Sequence, residues 1–533
     1  MDRAKLGNKN EQFDGRTEAI FEFARASIDY RDGAIARAHH FLNHFINRGF
    51  LRPKFQFKTY CYLFGNYERD ANMFYTEIMT SQINDFEKKM EYFDNVADFY
   101  AGKSIFITGV TGFLGKVLIE KLLYSCPKLD KIYLLIRGKK NDTPESRLRS
   151  IFEQPIFKRL KEERLEDLRK IIPIIGDITE ENLGIQKDDE NIIVEKVAIV
   201  IHAAATLRFV EPLQIAMNVN FEGTKRVLDL CKKIKQLETF VYISTAYTNV
   251  NRQVIEEIVY PPPASYKHVY DIIEKYGDDT AQTKKLLGDL PNTYVFTKAL
   301  AENYVAENHG NIPTIIIRPS IVTGSKNEPI EGWIDNWAGA TALVTMIALG
   351  FLRVLFGKFS NVIDLIPVDF VSNLTIVAAA KCNRSKELRV YNCSSSGTNP
   401  LPLGILCKTF IKEAVQHKIN AVPYPTITFT KSYFIAKIII FLTSILPAFV
   451  LDCLLRLTGK EARYLRKQRK IINLFYVLQY FSSHSWLIQS TKTQSLYASL
   501  PNSDKEKFPC ISSSIVWSEY LPVYFNGIKT YLL

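Results

Sequence analysis

Residues Ser104 to Gly115, SIFITGVTGFLG, restrict this chain more than any other stretch. Three apolar residues, Ile105 to Ile107, run into glycines spaced three apart at Gly109, Gly112 and Gly115. The KVLIEKLL stretch after them repeats its apolar residues with a helical period. Strand, glycine turn and helix in that order are how a dinucleotide pyrophosphate is held. Glycines permit the tight turn and close backbone approach, and the helix N-terminus offers unpaired N–H groups to the anion. A glycine turn between strand and helix is also common without any ligand, so the reading depends on the residues C-terminal to it.

KIYLLI, Lys131 to Ile136, reads as a second strand. An enzyme that takes NAD usually carries an acidic residue at this tip to hold the ribose 2′-OH. Here the tip is Arg137, with Lys139 and Lys140 beyond it. A guanidinium attracts a 2′-phosphate where a carboxylate would repel it, which points to NADPH; a solvated basic loop is the plain alternative. Asn141 to Lys170 is charged and helix-patterned, long for a crossover, and is expected to be an insertion at the entrance. Ile171 to Ile175 is a third strand ending in Gly176-Asp177-Ile178, where the aspartate can meet the adenine amino group. Val197 to Ile201 is a fourth, ending in His202, read as structural, and in Ala203, Ala204 and Ala205, small enough for a cofactor to lie against backbone. Asn218-Val219-Asn220, then Gly223 and Thr224, open a helix in which an asparagine is expected to anchor backbone near the site. Thr239 to Ile243 is a fifth strand, ending in Ser244-Thr245-Ala246-Tyr247. Strands alternating with helices predict a doubly wound parallel α/β sheet of Rossmann type.

Tyr294 and Lys298 stand four residues apart, on one face of a helix. A lysine beside a tyrosine favours the phenolate, so a lowered phenol pKa is expected. Together with a hydroxyl from the fifth strand, the pair can polarise a carbonyl and protonate an alkoxide. The pattern YxxxK alone is more often surface. Its place, after five strand–helix units and before Thr314 to Ile317 with Arg318-Pro319, selects the catalytic reading.

Composition bears on partners and compartment. A net charge of +12 suits an acidic partner, whether a CoA-type phosphate, an anionic membrane or nucleic acid, but the basic residues are spread along the chain. Eight cysteines form no CxxC pair, which suits a reducing compartment and argues against structural zinc. The polar start, MDRAKLGNKNEQ, predicts no secretory leader. In the basic amphipathic stretch near the start, His39, His40 and His44 lack any carboxylate or cysteine partner, and no metal site is expected.

Past Trp333 the chain turns apolar. Ala338 to Leu352 carries no charge and reads as a helix against or into a bilayer; Asn399 to Pro425, richer in Pro and Lys, reads as a linker. Tyr433 to Leu451 holds one charge, Lys437, in nineteen residues. Pro447 is expected to kink its last turn, and Asp452 with Arg456 to mark a polar boundary. Its uninterrupted run, Ile438 to Leu451, is short enough for a buried or interfacial helix as well as a membrane span. Basic Arg463 to Lys470 comes next, suiting a cytoplasmic face. The expected division is therefore 1–96 as an extension without a readable role, 97–398 as the reductase domain, 399–425 as linker and 426–533 as a helical C-terminal domain.

The glycine turn, the Ser-Thr after the fifth strand and Tyr294/Lys298 resemble the extended short-chain dehydrogenases/reductases. Longer stretches, FYAGKSIFITGVTGFLGKVLIEKLL, IHAAATLRFVEPL, YISTAYTN, YVFTKALAE, IIRPSIV and EPIEGWIDNWAG, resemble the animal fatty acyl-CoA reductases, most like the insect branch, from about Tyr92 onward. The N-terminal stretch departs from that pattern. The resemblance implies Tyr294, Lys298 and Thr245 as catalytic, with Ser244 adjacent. It implies cofactor contacts at Gly109, Thr111, Gly112, Phe113, Leu114, Gly115 and Arg137, joined by Asp177, Ile178 and the three alanines. It also implies NADPH-dependent reduction of long-chain acyl-CoA to alcohol in two steps. Membrane lipid is then a partner and nucleic acid is not, with an endoplasmic reticulum or peroxisome membrane and a cytosol-facing site. Another reductase acting on a sterol or nucleotide sugar, or an inactive membrane scaffold, remains the alternative.

Overall fold

Seven apolar runs pair side by side as parallel strands: β1 (Ser104–Thr108), β2 (Ile132–Ile136), β3 (Ile171–Ile175), β4 (Val197–His202), β5 (Thr239–Ile243), β6 (Thr314–Pro319) and β7 (Arg389–Cys393). Their order across the sheet is β3-β2-β1-β4-β5-β6-β7. In this computed structural model the described residues are 95–138, 143–381 and 386–533. The histidines near the start, Lys139 and Lys140 lie outside them.

Alternation along each strand feeds two apolar layers. Ile105 and Ile107 face one core and Phe106 the other; Ile315 and Ile317 oppose Ile316 in the same way. Helices α1 (Phe113–Ser125) and α6 (Val368–Lys381) cover the first face. Helices α3 (Gly223–Lys233) and α4 (Thr293–Asn308) cover the second. The short α2 (Pro144–Phe152), capped by the Thr143 side chain, lies in the crossover between β2 and β3. This is the doubly wound arrangement the strand–helix alternation predicts.

Later elements depart from expectation. Within Ala338 to Leu352 the helix is only α5 (Ala340–Ala348), and most of its residues are buried in the first core, not turned to lipid. The segment expected as a linker carries α7 (Leu403–Gln416), with Leu406, Cys407, Phe410 and Ala414 buried against α5 and the last helix, α11 (Trp517–Tyr531). Pro and Lys fall on its ends and outer face, so composition misled. Between α7 and α11, the apolar stretch forms α8 (Tyr433–Ile440), a π turn (Phe441–Ile445) and α9 (Leu446–Leu457). Pro447 lies at the start of α9, where the loosened π turn absorbs its missing N–H, and the helix continues well beyond it. Asp452 is buried, and its carboxylate accepts the N–H groups of Arg463, Tyr464 and Leu465 at the start of α10 (Tyr464–Ser483). It is a cap, not a boundary.

The C-terminal elements are laced into the reductase part, and residues 90–533 form one unit. Leu487–Ile488 pairs with Val254–Ile255 in parallel. The buried Glu257 carboxylate accepts N–H groups from Asn392 of β7 and from Lys492 and Thr493. Elsewhere the two parts approach even closer. A Cβ added at Gly527 in α11 would fall 1.7 Å from the Gly332 carbonyl oxygen.

Candidate active site

The strand order reverses between β1 and β4, and their carboxyl ends open the crevice where parallel α/β sheets take ligands. Gly109 closes its floor: its φ is +78°, and an added Cβ would lie 2.6 Å from the Ala203 carbonyl carbon and the Ala204 nitrogen. Gly112 is the N-cap of α1 and provides no side-chain cap, so the first N–H groups of that helix stay open to the crevice.

At the tip of β2, Arg137 is two-thirds exposed, with Nε 3.9 Å from the Asp177 carboxylate. Asp177 also accepts from the Thr179 N–H at 3.0 Å. Sequence reasoning missed Arg147 of α2, whose guanidinium donates to the Arg137 carbonyl and puts a second cation at this tip. The charged pattern of the crossover was its only signal.

His202 at the end of β4 bonds Thr108 Oγ1 at 2.7 Å and Thr224 Oγ1 at 3.1 Å. Burial, and then the neighbouring Lys298 charge, lower its pKa to about 3, so it is neutral and structural. The helix of the Asn218 region starts earlier than expected, at Leu213, and Asn220 lies inside a π turn, Met217–Glu222. Its amide accepts from Thr206 N–H at 2.9 Å and donates to Thr297 Oγ1 at 3.0 Å, tying the loop after β4 to α4.

Asn292 caps α4, its Oδ1 accepting from Val295 N–H at 2.9 Å, and the first turns then aim Tyr294 and Lys298 at the crevice. The helix is locked from behind: Glu302 pairs in two hydrogen bonds with the fully buried Arg318 of β6, at 2.9 and 2.6 Å. Lys298 Nζ donates to the Ile243 carbonyl at 2.7 Å. Burial lowers its pKa to about 7, against a smaller pull upward from Glu302. The Tyr294 phenol goes the other way. Burial raises it to about 12, while a hydrogen bond with Thr245 draws it back only in part. The expected lowering of the phenol by Lys298 is therefore not found: desolvation dominates, and the ammonium is turned to a carbonyl. At neutral pH Tyr294 is a protonated donor.

One cavity of about 930 Å³ joins these parts. Every residue implied for catalysis or cofactor contact lines it: the turn from Gly109 to Gly115, Arg137, Asp177, Ile178, Ala203 to Ala205, Ser244, Thr245, Tyr294 and Lys298. Later elements add apolar side chains to its wall, among them Leu343 of α5, Leu403 of α7, Leu478 and Phe481 of α10, and Trp486. Phe209 stacks on Tyr294 with ring centres 5.9 Å apart and meets Phe481 at 5.4 Å. These wall residues were missed because apolar side chains at helical spacing read as ordinary core.

Two family models, both described as male sterility protein, match residues 107–375 and 443–533. Fatty acyl-CoA reductase 1 of Xenopus laevis is 38% identical over 447 residues, covering 82% of this chain and 86% of the relative. The human fatty acyl-CoA reductase 1 is 36% identical over the same length and coverage. Fatty acyl-CoA reductase 2 of Mus musculus is 36% identical over 449 residues, again 82% and 86%. Among solved structures, the reductase domain of a nonribosomal peptide synthetase from Mycobacterium tuberculosis has a TM-score of 0.54 at 17% identity, covering 84% of this chain and 98% of that one. The terminal R domain of the myxalamid pathway has 0.51 at 18%, covering 81% and 92%. At those identities the likeness is one of fold.

Proposed function

The chain belongs to the fatty acyl-CoA reductases, and on that premise we propose that it converts long-chain acyl-CoA to fatty alcohol with NADPH, through Tyr294, Thr245 and Lys298. It is an oxidoreductase that uses a nicotinamide cofactor and takes an acyl-CoA. The observation that carries the fuller reading is the one cavity lined by the glycine turn, by Tyr294 and by apolar side chains of the later helices. A nucleotide sugar has no use for that apolar wall.

The crevice fits a dinucleotide on its own terms: backbone contact at Gly109, an uncapped helix N-terminus behind Gly112, and two guanidinium groups at the β2 tip. Arg137 and Arg147 favour the 2′-phosphate of NADPH, with Asp177 and Ile178 beside the adenine. When bound, the reduced nicotinamide supplies the hydride. The chain supplies the rest. Thr245 and Tyr294 hydroxyls hold the carbonyl oxygen and take up its growing negative charge, each such donor being worth about 3–4 kcal/mol. The Lys298 charge strengthens that field, and Ser244 closes the strand end beside Thr245. The tetrahedral adduct expels CoA thiolate and leaves an aldehyde. In a second round the same hydroxyls hold the aldehyde oxygen, and the Tyr294 proton passes to the alkoxide.

The helix from Tyr433 to Leu457, whose most apolar 18 residues have mean hydropathy 2.5, supports attachment to a membrane. The basic residues just beyond it favour the cytosolic face, and membership of the family suggests the endoplasmic reticulum or peroxisome. Microsomes carrying the protein, given NADPH and a series of acyl-CoAs, are expected to make alcohol with two NADPH oxidised per CoA released. NADH is expected to serve far less well. Alcohol formation absent across the series, with turnover of a sterol or nucleotide sugar instead, would overturn the reading.

A further inference from the structure

The helix α8–α9 is apolar and long enough to cross a bilayer, but its packing holds it elsewhere. Its buried residues, Ala436, Ile440, Ser444, Ala448 and Asp452, recur at every fourth position. One narrow stripe is thus fastened to the protein body along the helix. Ser444 donates to the Phe351 carbonyl at 3.2 Å, and Gln468 of α10 donates to the same oxygen at 3.0 Å. Asp452, capping α10, folds that helix back along α9. The far end of α10 then reaches the cavity wall at Leu478 and Phe481.

Apart from Lys437 and Arg456 the rest of the circumference is largely apolar, and most of it is exposed, from Phe434, 72% exposed, to Leu457, 84% exposed. Arg463, Arg466, Lys467, Arg469 and Lys470, all exposed, stand beside its second half. A hairpin entering a bilayer tip first would carry these five cations into hydrocarbon, which is strongly unfavourable. Lying flat, it buries the apolar side at acyl depth and leaves the cations among headgroups.

We propose that α8 to α10 form an in-plane docking surface for an anionic phospholipid leaflet, with both ends of the helix on the cytosolic side. This rests on the membrane attachment proposed above and not on the catalytic assignment. The occupant is lipid because the exposed surface pairs a long apolar rod with a row of cations. The helix that meets the headgroups also walls the cavity, through Leu478 and Phe481.

Single cysteines placed before and after the helix, Thr426→Cys and Lys460→Cys, test the topology in the full chain. Of the described native cysteines only Cys453 is not buried, and the unsubstituted protein gives the background. In intact microsomes a membrane-impermeant maleimide is expected to label both positions alike before detergent. Labelling of one position only after detergent would show a crossing helix and overturn the proposal. Vesicles of phosphatidylcholine with and without phosphatidylserine test the chemistry. Binding is expected to be stronger with phosphatidylserine, and R466E/K470E to lower it about tenfold or more while NADPH binding is retained. The pair L442E/F449E is expected to abolish vesicle binding and leave a soluble, monodisperse protein. Recovery of the unsubstituted chain as a soluble dimer that binds neither vesicle would assign the surface to a second copy and overturn both this and the attachment.

Discussion

Lys298 is a buried amine held by one carbonyl, with a pKa near 7 where an exposed lysine titrates above 10. Between those values the unfolded chain binds a proton that the folded chain lacks, so this group's contribution to stability rises with pH from about 7 towards 10.5. Lys298→Met is expected to remove that rise. Urea unfolding of both proteins at neutral and mildly alkaline pH checks it: the stability gap must shift in favour of the natural chain as pH increases. Taking the difference cancels the buried tyrosines and cysteines, whose raised pKa values act oppositely. At the β2 tip, Arg137→Asp is expected to weaken NADPH far more than NADH, and Arg147→Ala to do so to a lesser degree. An unchanged ratio of the two efficiencies would assign both arginines to the solvent. Tyr294, Lys298 and the glycines were legible because their spacing is local chemistry on one turn or one helix. Arg147 and Phe209 were not. Their places depend on how distant loops fold over the crevice.

Among the elements, the parallel strands announce themselves, since burial on both faces leaves nearly unbroken apolar runs such as IVIH and FVYI. Apolar helices are ambiguous in a way strands are not. α5 and α8–α9 have similar composition, yet one is sunk in the core and the other exposes most of its surface. Only packing decides between them. The same holds for α7, whose polar ends concealed a buried face. Glycine positions give a sharper test of packing. Gly527 of α11 rests against Gly332, so Gly527→Ala must push two backbones apart, and a loss of about 2–3 kcal/mol is expected. Chemical denaturation of the variant measures it; a stability unchanged from the parent would mean the two segments do not touch.

Taken whole, the molecule has no seam between reductase and C-terminal helices. The wall beside Tyr294 comes from α10 and the segment after it, which pairs with Val254–Ile255 and is tied to β7 through Glu257. Residues 90–533 are therefore expected to unfold in one transition, and removal of 426–533 to leave an insoluble or inactive remainder. Two separate transitions by calorimetry would contradict that unity. The central claim concerns what the joined parts do to a thioester. Its most direct measurement is alcohol formation from a long-chain acyl-CoA and NADPH by the purified Tyr294→Phe protein, with NADPH affinity measured alongside. A roughly 100-fold or greater fall in turnover is predicted, because one proton donor is lost. NADPH affinity should hold, because the ring and the crevice remain. Near-normal turnover in a variant that still binds NADPH would contradict the account.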